Sequence, residues 1–108
     1  MDFIKLGGRK RPIHFGFNSL RVFCDLTGRT LETLGSEMTM DDTLNLIHAG
    51  LTDGARVAKE QYEGDVLMLC DWLDANPEVF AKVLTLYASA LGKLFAPKTG
   101  LGGTMAQA

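Results

Sequence analysis

Four kinds of side chain in this 108-residue sequence could do chemistry: two histidines, two cysteines, a pair of aspartates and three serines. His14 and His48 fall in different elements with no cysteine or glutamate at ligand spacing, so they do not mark a metal site. His48 lies on an apolar stripe, where a histidine is ordinarily a hydrogen-bonded core residue. Cys24 and Cys70 stand far apart, each on an apolar stripe, and read as free thiols packed in the core of a protein in a reducing compartment. Asp71 and Asp74, three apart on one helix, have the spacing of a general acid and base. No nucleophile or oxyanion donor accompanies them, and such a pair is usually a solvated face. Ser19, Ser36 and Ser89 have no histidine and carboxylate in a recognisable context, although a triad can assemble from distant positions. Gly7-Gly8 and Gly102-Gly103 lack the following helix and the Lys-Ser/Thr pair of a phosphate loop. The sequence reads as that of a protein without catalytic residues, metal or cofactor.

The elements that carry these residues are legible. Phe3-Ile4-Lys5-Leu6, the Gly7-Gly8 turn and a return from Arg11 to Phe15 predict a β-hairpin over residues 2–15, with Pro12 suited to an edge. Such a hairpin is marginal alone and must lie on the helices or pair with another chain. Asn18 is placed to cap a first helix that carries Leu20, Phe23, Cys24 and Thr27 on one face and stops at Gly28. Thr30 caps a short turn from Leu31 to Leu34, closed by Gly35. Thr39 and Asp42 open a helix with the stripe Met40, Leu44, Ile47, His48 and Leu51. Gly50 within it hints at a backbone packed close by, and Asp53-Gly54 should break it. Ala55, Ala58 and Tyr62 suggest a further short helical piece. Asp65 starts the next helix, with Val66, Leu69, Cys70 and Leu73 on one face. Asn76, Pro77 and Glu78 open the last, which should run to about Phe95 and stop at Pro97. Residues 98–108 read as a flexible tail. The fold class is therefore mainly α: one globular domain over residues 1–97, with about five helices across 18–95 and a short N-terminal hairpin.

Two features point outward. On the last helix Glu78, Lys82, Thr85, Ser89 and Lys93 form a narrow polar strip, and apolar residues cover well over half the circumference. Either this is the central helix, the plainer reading, or one flank is kept for a partner, with Leu86, Leu94 and Phe95 as candidate binding residues. Met68 and Trp72 lie off the buried stripe of the preceding helix, four residues apart, and are candidates too. The alternative is that another helix covers them.

Charge narrows the partner. Lys5, Arg9, Lys10 and Arg11 face only Asp2 in the first eleven residues, whereas residues 30–81 set Arg56 and Lys59 against eleven carboxylates. A basic tip on an acidic body suits steering toward a protein of complementary charge. A helix–turn–helix rhythm over residues 18–34 would put Glu32 on its recognition helix, with Glu37, Asp41 and Asp42 beside it, the wrong sign for phosphate. No nucleic acid partner is expected. No apolar run approaches the ~18–20 residues that cross a bilayer, and the first residues do not resemble a signal peptide. A cytoplasmic protein with no membrane partner is expected.

Phe15-Gly16-Phe17-Asn18-Ser19-Leu20-Arg21, Thr30-Leu31-Glu32-Thr33-Leu34, Leu46-Ile47-His48-Ala49-Gly50-Leu51 and Asp71-Trp72-Leu73-Asp74, followed by a long final helix, give an order of elements that resembles the tail assembly chaperones of tailed bacteriophages. The likeness spans about residues 13–95 and rests on helix lengths and hydrophobic positions rather than a short motif. It implies a non-enzymatic cytoplasmic protein, absent from the finished particle, that binds the tape measure protein and helps recruit tail tube subunits. In many such phages a ribosomal frameshift also makes a longer form. The competing classes are a structural virion component, such as a head–tail connector or minor tail protein, and a small helix–turn–helix regulator. Self-association through the hairpin stays open.

Overall fold

Gly7 and Gly8 reverse the chain with positive φ angles of 63° and 81°, which residues with a Cβ rarely adopt. Strand β1 (Asp2–Leu6) thereby returns antiparallel as β2 (Arg9–Ile13), with Ile4 opposite Arg11. The computed structural model of the chain describes residues 1–95. The expected tail over residues 98–108 and the stop at Pro97 lie outside the described residues. Strand alternation sends Ile4, Leu6 and Ile13 inward, where all three are fully buried.

Helix α1 (Phe17–Thr27) starts from Gly16 rather than from Asn18. The Ser19 hydroxyl accepts from the Gly16 amide at 2.8 Å, which closes the first turn and releases Asn18 for a distant contact. That contact is with Asp53, whose Oδ1 accepts from the Asn18 side-chain amide at 2.9 Å. Gly28 ends the helix in the left-handed conformation, as its position predicts. A single 3₁₀ turn follows at Leu31–Thr33. It is too short to lie along a DNA groove as a recognition helix, so the helix–turn–helix rhythm has no structural counterpart. Arg29 ties this segment down: its guanidinium donates to the carbonyls of Thr33 and Glu37 and to Asp42 Oδ2, the last at 2.9 Å.

Helix α2 (Met40–Ala58) is opened by Thr39, whose hydroxyl accepts from the Asp42 amide at 3.0 Å. It does not break at Asp53-Gly54: of the separate helical piece expected after it, Ala55 and Ala58 belong to the last turn of the same helix and Tyr62 lies in the loop beyond. Four α-helices therefore stand among the described residues where about five were expected. The Asp-Gly pair serves tertiary contacts instead of a turn. Asp53, only 2% exposed, also receives Arg56 Nε at 2.8 Å. A Cβ on Gly54 would lie 2.3 Å from the Pro12 carbonyl oxygen, so only glycine lets β2 approach this closely. A Cβ on Gly50 would meet the Phe15 ring, a side chain, at 2.6 Å, and the backbone approach read from the sequence is the His14 amide donating to the Gly50 carbonyl at 3.1 Å.

Helix α3 (Val66–Ala75) is capped by Asp65, which accepts from the Met68 amide at 2.8 Å. Helix α4 (Glu78–Leu94) starts directly after Pro77, and Asn76 supplies no side-chain cap to it. The core lies where α2 meets the hairpin, α1 and the inner faces of α3 and α4, with Phe23, Leu46, Ile47, Leu51, Leu69 and Val83 at its centre. Each such side chain contributes about 1.5–3 kcal/mol relative to leaving it exposed.

Candidate protein-binding surface

Helix α4 buries a single row, Val79, Val83 and Tyr87, at i, i+4 and i+8. Tyr87 fixes the helix roll: its hydroxyl donates to the Leu34 carbonyl at 3.3 Å, and its ring meets the edges of Phe15 and Phe23. The central helix is α2, which buries ten residues around its circumference, so the central place expected for α4 is corrected. The apolar rows on either side of the buried one, Leu84 and Leu91 on one flank and Leu86 and Ala90 on the other, are only half-buried. A row that meets the domain on one edge and water on the other is unsaturated in apolar contact.

These flanks form the walls of three depressions. Leu86, Ala90 and Leu94 face Met1, His14 and Phe15 across a hollow of about 380 Å³, edged by Asp2, Ser89 and Lys93. Leu91 and Phe95 face Leu31 and Leu34 across another of about 390 Å³. Beside it the Phe17 ring, 66% exposed, meets the Phe95 ring edge-on at 5.8 Å. The third lies at the opposite end of α4, where Phe80 and Pro77 approach Leu73, Cys70, Leu44 and Met40. Cys24 and Cys70, expected in the core, are half-buried at the borders of such hollows, and both are free thiols.

The five residues singled out from the sequence are thus not one cluster. Leu86 and Leu94 share a hollow, Phe95 lies on the other flank of α4, and Met68 is exposed on α3. Trp72 is half-buried, and what covers it is the hairpin and the loop before α3 rather than another helix. Its indole would contact a Cβ at Gly7 at 2.7 Å, and the Tyr62 ring meets it at 6.4 Å. Arg11 completes this cluster. Counted from sequence with the basic tip, it is 7% exposed, and its Nε donates to the Leu6 carbonyl at 2.8 Å. Burial, then the neighbouring charge of Arg9, lowers its pKa. The signal was present in the strand alternation, because Arg11 pairs with inward-facing Ile4. Lys5, Arg9 and Lys10 are left as the exposed basic residues of the tip. Sequence reading also passed over Phe17 and Leu31, and it put Met40 on the apolar stripe of α2, where it is exposed, since exposure at a helix start leaves no mark in periodicity.

His48 is half-buried with Nδ1 3.5 Å from the Tyr62 hydroxyl. Burial lowers the His48 pKa and raises that of Tyr62 to about 12, so both are neutral near pH 7. Asp71 is exposed, as is Asp74. Among the described residues no three metal-ligating side chains come together, and no helix is long and apolar enough to cross a membrane. Set against models of known families, characterised proteins and solved structures, the chain matches none.

Proposed function

We propose that this protein works by binding other proteins, as a non-enzymatic tail assembly chaperone that holds the tape measure protein and helps recruit tail tube subunits. The observation that carries the binding part is the single buried row of α4, flanked on both sides by apolar rows that the domain leaves half-covered. Such rows suit the apolar face of a long helical client, which docks through residues at i, i+3, i+4 and i+7. The tail assembly role comes from the resemblance in the order and lengths of the elements. Leu86 and Leu94 on one flank of α4 and Phe95 on the other belong to the surfaces that receive the client. Met68 and Trp72 lie apart from them on α3, Met68 exposed and Trp72 packed against the hairpin.

The test is co-expression of the tape measure protein with and without this chain, followed by pull-down and measurement of the soluble client fraction. The expected result is a client that co-purifies and stays soluble only with its chaperone. A client equally soluble alone sinks the reading, and a chain recovered in finished particles makes it a virion component instead.

A further inference from the structure

We propose that the groove between the first turn of α2, the C-terminal half of α3 and the start of α4 takes a basic amphipathic helical segment of a different protein. This rests on the protein-binding reading above and adds the chemistry of the segment bound. The groove encloses about 440 Å³, with Met40, Leu44, Cys70, Leu73 and Phe80 as its apolar floor and walls. Met40, at its mouth, is 66% exposed, and Leu67 on the outer face of α3 is 73% exposed. Leu67, Asp71 and Asp74 share that face at i, i+4 and i+7.

Charge selects the occupant. Asp74 is the one charged residue that lines the groove, with Asp71 one turn before it. Neither has a basic partner within ion-pair distance among the described residues. Asp74 lies in the last turn of α3, whose partial negative charge repels it, and Asp71 just before that turn. Asp41, by contrast, occupies the first turn of α2, where a carboxylate is favoured. Carboxylates near the negative end of a helix dipole, without an internal cation, beside an open apolar groove are complementary to leucine-type anchors flanked by lysine or arginine. Among the described residues a second copy of this chain does not supply this: its basic tip, Lys5, Arg9 and Lys10, is a β-hairpin whose exposed Phe3 and Met1 do not form a helical row of anchors.

The probe is a synthetic helical peptide of about 15 residues with leucines along one face and lysines on both flanks. Its twin carries glutamate at every lysine. Titration into the isotope-labelled protein should shift the amides of Met40, Leu44, Cys70, Asp74 and Phe80, and the glutamate twin should bind at least about tenfold more weakly. The double variant Asp71→Lys/Asp74→Lys should weaken the lysine peptide about tenfold with Tm unchanged or raised, because lysine suits the end of α3. If these carboxylates were structural, the same variant would lower Tm. Equal binding of the two peptides, shifts confined elsewhere, or a self-association that the double variant abolishes would each overturn the assignment. The co-expression assay separates the two proposals. A client not held, with peptide shifts as expected, removes the chaperone reading alone; a client held, with shifts elsewhere, removes this groove alone.

Discussion

The guanidinium of Arg11 lies over the indole of Trp72, 4.2 Å from the ring centre, and so joins the middle of β2 to α3. A cation over a partly desolvated indole is worth about 1–2 kcal/mol beyond packing. Trp72→Ala should therefore lower folding stability by about 2–4 kcal/mol, measured by denaturant titration of the free protein. Arg11→Lys, which keeps the charge but loses the flat stack, should cost about 1 kcal/mol. If Trp72→Ala instead leaves the melting curve in place and weakens the client complex, the indole is a binding anchor.

The glycines of α2 and α4 should respond to alanine in opposite directions. Gly54→Ala puts a Cβ into the Pro12 carbonyl, and the clash should outweigh the helix preference of alanine, for a net loss of about 2–4 kcal/mol. Gly92 on α4 has nothing within 4 Å of its missing Cβ. Gly92→Ala should raise stability by up to about 1 kcal/mol, seen as a higher Tm.

Acid should destabilise the fold in two stages. Burial holds the His48 pKa below its ordinary value, so the unfolded chain takes up that proton first. This contribution is complete above pH ~6.5 and is lost as pH falls from there through the folded pKa. Hydrogen bonds from Arg29, then from the Thr39 amide, hold Asp42 below the usual carboxylate range. Its contribution is complete above pH ~4 and is lost as pH falls through the lower folded value. Melting curves across pH should show both stages, with His48→Asn flattening the first and Arg29→Gln the second.

Phe95→Ser and Leu31→Ser alter exposed side chains and should change stability by no more than about 0.5–1 kcal/mol. The same substitutions should reduce the soluble client fraction in the co-expression assay. An undiminished fraction would confine the client to the other flank of α4, beside Leu86 and Leu94.

What the sequence made legible was local. The Gly7-Gly8 turn, the Thr39 cap, the helix start at Asp65 and the Gly28 stop are signals that act over a few residues, and each sits where it was read. Several of the misreadings involve residues recruited by a distant part of the chain. Asp53-Gly54 has the composition of a turn, yet Asn18 and Pro12 claim it from elsewhere. Asn18 has the composition of a cap, yet Ser19 performs that task. The breadth of the apolar face on α4 was visible, but which row meets the core depends on where Tyr87 finds Leu34, far away in sequence. Exposed Met40 and the groove beside it exist only once three helices are in place.

The hairpin is bound to α2 backbone to backbone: the His14 amide donates to the Gly50 carbonyl at 3.1 Å, and Pro12 rests on Gly54. A ribosome delivers Ile13 well before Ala58, and at about 5–20 residues per second that interval lasts some 2–9 s. Throughout it Ile4, Leu6, Ile13 and Phe15 have no platform, since two strands alone do not hold. A protein proposed to shield the sticky segments of others thus carries one of its own, which settles only once α2 is there to receive it.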